Sequence, residues 1–246
     1  MSDRKATNSD GALTWLIDSF RHRGIVGSLR YYSLEFVDLL RDLMPDRRKS
    51  RYGDIDYDFE HGVDTTWATV SLRTRLREWL SGGQYQPSEP ALFAGILDAL
   101  PVAVDGFTFV DLGSGKGRTL LMAAGYPFRR IIGRELLEEL NKIARQNIAR
   151  YRNDQQRCFN IEAQPGDARH FDFPLEPTIL YLFNPFPRHV WREVLANLHT
   201  SLLAASREVY VIYHNPVHED IVATQNWLRP IERTHQFVIY EAVKGS

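Results

Sequence analysis

A doubly wound α/β fold built on a mainly parallel sheet is predicted by three observations. The first is residues 107–124, where alternating β-formers (Phe107, Phe109, Leu112) lead into three glycines spaced two apart. A helical run of Leu120, Leu121, Met122, Ala123 and Ala124 follows, so strand, glycine turn and helix open a nucleotide-binding βαβ unit. The second is that further β-rich stretches alternate with helical ones for the next hundred or so residues. The third is a pair of nearly contiguous β segments at the C-terminal end, which pair antiparallel. Together they describe a seven-stranded sheet whose last strand is antiparallel, preceded by an N-terminal helical extension.

Bulk properties are ordinary. The chain has 246 residues, 43% hydrophobic and 25% charged, with a formal net charge of −1. That balance exerts no global electrostatic pull on nucleic acid, so a nucleic-acid partner is not expected. Cys158 is the only cysteine, which excludes an internal disulfide and fits a reducing cytoplasm. The N-terminal apolar positions are interrupted by Asp18 and Arg21, so neither a secretory signal nor a membrane span is expected and the reading is soluble and cytoplasmic.

In chain order, residues 1–83 form the extension and 84–246 the nucleotide-binding domain. Residues 1–11 are small and polar. Leu13, Leu16, Ile17 and Phe20 share one helical face, and Gly24 and Gly27 end it. Phe36, Val37, Leu40, Leu43 and Met44 mark a second helix stopped by Pro45. The basic run Arg47, Arg48, Lys49 and Arg51 reads as a solvated linker or, with the amphipathic helices before it, as a contact for an anionic surface. Tyr52–Thr66 is acidic and aromatic. Its D-x-D-x-D spacing is that of a calcium loop, but Phe59 and Thr65 occupy the obligatory glycine and glutamate positions, so calcium is rejected. A packed loop is expected there, serving as a lid with His61 and Glu60, as part of a substrate wall, or as plain surface packing. Leu72, Leu76, Trp79 and Leu80 mark a helix ended by Ser81-Gly82-Gly83. Ser88 is placed to cap a helix running to Leu100, with Pro90 in its first turn.

The remaining strands are read at Arg130–Glu135, Phe159–Ala163, Thr178–Phe183, Glu208–Tyr213, Leu228–Thr234 and Gln236–Glu241. Thr178–Phe183 is almost continuously apolar and suits a strand buried on both faces. Helices fall at Leu136–Arg150, His189–Leu203 and Glu219–Trp227. Cys158 reads as a core or edge residue and His170 as solvated.

Three ligand readings of the glycine turn compete. A P-loop fails twice, with Val110 at its first glycine and Gly117 at its Ser/Thr position. The dinucleotide pattern G-x-G-x-x-G matches poorly, because the run is Gly113-x-Gly115-x-Gly117 with Asp111 ahead of it. Asp111-Leu-Gly-Ser-Gly-Lys-Gly117 resembles the first motif of class I S-adenosylmethionine-dependent methyltransferases, D/E-x-G-x-G-x-G. The resemblance covers Ala91–Ala242, including the late antiparallel pair, and the chain as a whole is most similar to bacterial methyltransferases. Phe109-Val-Asp-Leu-Gly-Ser-Gly115 also shows a weaker similarity to lysine methyltransferases of the Dot1 type.

The resemblance implies a Rossmann-like domain whose turn (Gly113, Ser114, Gly115, Gly117) meets the methionyl end of S-adenosylmethionine, with Asp111 bracing it. It implies that Glu135 takes both ribose hydroxyls, with Leu136 beside it, and that Asp167 and Ala168 serve adenine. Tyr85 and Ser88 resemble a Tyr-x-Pro-Thr element near the cofactor carboxylate. Two positions depart from the family's pattern. Arg134 replaces an aliphatic residue, and Asn184-Pro-Phe-Pro187 only partly matches Asn/Asp-Pro-Pro-Tyr/Phe, so nucleobase N-methylation does not follow.

Asn184 would sit beside the turn if strand four adjoins strand one, as a cofactor and acceptor contact or else as a helix cap. His214 and Asn215 end strand five, where His214 is a candidate general base near neutral pH or a loop-binding histidine. His214 and His218 have the spacing of a metal pair, but Pro216 lies between them and no third ligand is evident, so no metal is expected. The leading expectation is methyl transfer to an N or O acceptor on a small molecule or protein. The alternatives are a non-catalytic cofactor-binding domain that docks a partner, and a nicotinamide-dependent oxidoreductase.

Overall fold

The computed structural model describes residues 55–66 and 87–243. The helices read at residues 13–20, 36–44 and 72–80, the basic run 47–51 and Tyr85 lie outside the described residues. The described elements are α1 (Ile55–His61), α2 (Pro90–Asp98), β1 (Thr108–Leu112), α3 (Arg118–Ala123), β2 (Arg130–Glu135), α4 (Glu138–Arg150) and β3 (Ile161–Pro165). They continue with β4 (Thr178–Phe183), α5 (Arg188–Ala204), β5 (Val209–His214), α6 (Glu219–Ala223), β6 (Leu228–Arg233) and β7 (Phe237–Ala242).

The seven strands form one sheet in the order β3-β2-β1-β4-β5-β7-β6. The pairs from β3 through β5 are parallel, and β7 runs antiparallel to both β5 and β6. Strand four does adjoin strand one, with Asp111 opposite Tyr181. The chain winds outward through β2 and β3, then returns to the far side of β1, which puts the switch point between β1 and β4. β1, β4 and β5 are almost wholly buried because both faces are covered. One face packs Phe93, Phe109, Leu120, Ile179 and Tyr181. The other packs Val110, Leu180, Trp191, Val211 and Tyr240.

Three local expectations change. Tyr52–Thr66 is not a loop throughout, because Ile55–His61 is helical, with Asp56 and Asp58 in its first turn and His61 in its last. The two carboxylates complement the helix dipole, and Gly62 at φ +64° ends the helix. Tertiary packing adds to this: Tyr57 is buried, and His61 stacks between Tyr57 and Tyr151 at centroid distances of 4.3 and 5.4 Å. The third strand begins at Ile161, two residues later than read, because it pairs from Ile161 with Ile131 while Phe159 stays exposed. Ser88 does not cap α2. Glu89 holds that position without a side-chain cap bond, and the Ser88 hydroxyl is spent elsewhere.

Candidate functional site

The glycine turn carries Gly113, Gly115 and Gly117 at φ of +91°, +53° and +83°, a backbone that L side chains rarely adopt. At Gly113 the need is also steric, since a Cβ there would lie 2.6 Å from the Cβ of Pro185. The turn and the end of β4 are therefore in direct contact. Gly133 on β2 is constrained in the same way, because a Cβ would meet the Ser114 hydroxyl at 2.7 Å and Leu120 at 2.6 Å.

Two buried carboxylates flank the turn. Asp111 accepts the Thr119 hydroxyl, which joins the end of β1 to the first turn of α3 across the glycines. Burial pushes its carboxyl up to about 7, opposed by the Thr119 bond and reinforced by the nearby charge of Glu135. Glu135 is 7% exposed and ends β2, as expected. One of its oxygens accepts the Gly115 N–H at 2.9 Å and the other the Leu137 N–H at 2.7 Å. Burial raises its carboxyl above the usual range, against the pull of the Leu137, Gly115 and Leu136 N–H groups. Leu136, immediately after it, is 56% exposed, an apolar side chain left uncovered beside a polar anchor.

The outer side of the turn is covered by residues 63–66. Lys116 is fully buried, and its ammonium donates to Asp64 at 2.7 Å and to the Thr66 carbonyl at 2.7 Å. Asn147 donates to the carbonyls of Asp64 and Lys116 and accepts the Asp64 N–H. Arg118 donates to the Thr65 hydroxyl at 2.6 Å and lies over the Tyr57 ring. Asp58 accepts the N–H groups of Thr65 and Thr66 and the Thr65 hydroxyl. His61 belongs to this docking, donating from Nδ1 to the Tyr57 carbonyl and accepting at Nε2 from the Asn153 amide. Glu60 stays at the surface.

At the neighbouring strand ends, Asn184 and Asn215 are the only non-glycine residues of positive φ among the described residues, at +40° and +51°. Such outliers cluster at functional sites. Asn184 does not cap α5, whose N-cap is Pro187. Its oxygen accepts the Tyr213 hydroxyl at 3.1 Å. Asn215 is exposed, with its N–H on the Gln236 carbonyl.

Of the two readings of His214, a base near neutral pH or a loop-binding histidine, its surroundings do not favour the first. It is buried, and desolvation pulls its imidazole down to about 4. Its Nδ1 bonds the Tyr181 hydroxyl at 2.7 Å, and Tyr181 bonds Ser88 at 3.0 Å. The ring stacks on Phe183 at 3.8 Å. His214 is thus the end of a buried polar chain rather than a protonatable group at neutral pH.

Asp167 spends one oxygen on the Arg169 N–H and the other on its guanidinium. Desolvation would raise its carboxyl, but those bonds and the Arg169 charge bring it below the usual value. Ala168 beside it is buried. Arg134 lies against Gly166, where a Cβ would collide with its guanidinium, so it is not directed into the core. Cys158 is a buried free thiol and His170 is exposed, both as read.

Lys116, Arg118, Asn147, Tyr181 and Tyr213 stand at the site without a sequence motif that marks them. Lys116 drew notice only as a failed P-loop lysine, and Tyr181 and Tyr213 looked like members of apolar strands. A tyrosine in a doubly buried strand needs a partner for its hydroxyl, and that requirement is the signal available in the sequence.

No family model and no curated protein matches the chain. Among solved structures, it is similar to an RNA methyltransferase from Salinibacter ruber in complex with S-adenosyl-L-homocysteine (20% identity, 65% of this chain, 95% of that one, TM-score 0.43). It is also similar to a predicted N6-adenine-specific DNA methylase from Listeria monocytogenes (14%, 63% and 51%, TM-score 0.47). A third is a ribosomal protein L11 methylase from Lactobacillus delbrueckii subsp. bulgaricus (16%, 66% and 80%, TM-score 0.44). At this distance the functional reading rests on the site's own geometry.

Proposed function

We propose that the chain is a class I S-adenosylmethionine-dependent methyltransferase acting on an N or O acceptor of a small molecule or protein. The observation that carries this is Glu135. It is a buried carboxylate at the end of β2, oriented by backbone N–H donors on both of its oxygens and facing the glycine turn. The surroundings fit that cofactor. The glycine turn supplies close backbone approach, exposed Leu136 supplies an apolar surface for a flat base, and Asp111 braces the turn through Thr119. When bound, the cofactor supplies an electrophilic methyl group on a sulfonium sulfur.

The chain's part in such a reaction is to hold, align and dehydrate. Glu135 and the turn hold the donor at the C-terminal end of β1. Asn184 and Asn215 stand at the adjoining strand ends, where an acceptor would be aligned. No protein nucleophile is needed. With His214 held neutral and tied to Tyr181, an acceptor that reacts in its unprotonated form is favoured over one needing a histidine base.

Calorimetry with S-adenosylhomocysteine and with NAD tests the reading. Binding of the first and not the second is expected, and Glu135→Ala should weaken it by about 100-fold or more, the loss of two hydrogen bonds to a charged group. Tight NAD binding without S-adenosylhomocysteine binding overturns it in favour of an oxidoreductase. Asn184→Ala should leave that affinity in place and depress transfer, whereas a non-catalytic docking domain would show no transfer in either protein.

A further inference from the structure

We infer that Asn184 is a specificity residue that presents hydrogen-bond donors, so that the methyl acceptor carries an sp² oxygen beside the atom that is methylated. The inference rests on the methyltransferase reading for its biological meaning, but on local geometry for its substance. The His218 backbone N–H donates to the Tyr213 hydroxyl at 2.9 Å. That leaves the Tyr213 proton in need of an acceptor, and the group it reaches is the Asn184 side-chain oxygen at 3.1 Å. Burial keeps Tyr213 protonated by raising its hydroxyl far above the usual phenolic range, opposed by the His218 N–H. The rotamer of the amide is therefore decided by its neighbours. Its oxygen is tied back toward β5, and its NH₂ group has no partner and is not buried among the described residues.

The position of that NH₂ group gives it consequence. Pro185, the next residue, abuts Gly113 of the glycine turn, so the amide stands at the switch point where ligands bind in this class of sheet. A flipped amide would face the Tyr213 hydroxyl with its own N–H groups and leave that hydroxyl's proton without an acceptor, a cost of about 1–3 kcal/mol for a buried group. A carbonyl or carboxylate oxygen placed against Asn184 satisfies its free donors. A neutral primary amine, whose own N–H groups require acceptors, meets donors instead and is disfavoured. Tyr213 is then a positioning residue, acting through the orientation it imposes on Asn184.

Side-chain ¹⁵NH₂ resonances of the full chain, assigned by comparison with Asn184→Ser, test this with three monosubstituted benzenes: acetophenone, benzoate and aniline. Saturable shifts of the Asn184 resonance with acetophenone or benzoate, at least 5-fold stronger in apparent affinity than with aniline, are expected. In Tyr213→Phe the preference should fall toward unity while S-adenosylhomocysteine affinity, measured by calorimetry, stays within 2-fold. Aniline binding as well as or better than both oxygen probes overturns the inference, and so does the absence of any shift at Asn184. A failure to bind S-adenosylhomocysteine sinks the methyltransferase reading instead and leaves the probe titrations interpretable in the apo protein.

Discussion

Replacing Asp111 by Asn should make the protein more stable at alkaline pH and change little at acid pH. Asp111 is almost fully buried, and its folded carboxyl lies at about 7 against 3.8 for the unfolded chain. Well below pH 3.8 the group is protonated in both states and adds no pH-dependent term. Above pH 7 it is ionised in both, and the folded state bears the full cost of a buried charge. Between those limits the folded state binds more protons than the unfolded one, so stability falls as pH rises. Three pKa units at 1.36 kcal/mol each put the cost near 4 kcal/mol at pH 8. Asn keeps an oxygen for the Thr119 hydroxyl and removes the charge, and it also relieves Glu135 of a like-charged neighbour. Denaturant unfolding of both proteins from pH 4 to 8 measures this. The curves should converge toward pH 4 and separate by about 4 kcal/mol at pH 8, the variant being the more stable. Parallel curves would mean instead that Asp111 is solvated in the folded state.

Gly113→Ala combines a positive φ with a Cβ 2.6 Å from Pro185; a loss of about 1–2 kcal/mol from backbone strain alone, with S-adenosylhomocysteine affinity reduced at least 10-fold, is expected in melting and calorimetry, and a wild-type melt with wild-type affinity would contradict it. Lys116→Met removes the buried ammonium from Asp64 and the Thr66 carbonyl. Hydrogen exchange at the N–H groups of residues 63–66 should speed up and global stability fall by about 2 kcal/mol, below the 3–5 of a fully buried pair because Asp64 is 36% exposed. A double-mutant cycle with Asp64→Asn should give a coupling above about 0.5 kcal/mol, and strict additivity would place the two side chains apart.

The sheet was legible because its determinants are local. Arg130–Glu135 and Thr178–Phe183 occupy the positions read for them, since β-branched and aromatic runs bounded by polar turns need no distant information. α1 was less legible. Its residues are poor helix formers, and what holds them is Tyr57 packing under Arg118 and His61 stacking on Tyr151, contacts with residues 60 to 90 or so places away. The Ser88 hydroxyl illustrates the same limit. A cap three residues ahead is the nearest local use for it, whereas its partner Tyr181 is 93 positions on.

For the site, the sequence alone determined the glycine turn and the acid ending β2, because a positive-φ backbone and a buried carboxylate each demand a particular residue type at a particular place. What the tertiary structure decided is how the polar groups around them are spent. Lys116 could have faced a phosphate, but the Asp64 carboxylate and the Thr66 carbonyl 50 residues away claim it. His214 could have been a neutral-range base, but burial and Tyr181 deny it that role. Asn184 could have offered either end of its amide, and the Tyr213 hydroxyl settles which. Residue types set which bonds a side chain can form. Only the packing of distant strands decides which of those bonds are made, and an amide or an ammonium takes its chemical character at the site from that choice.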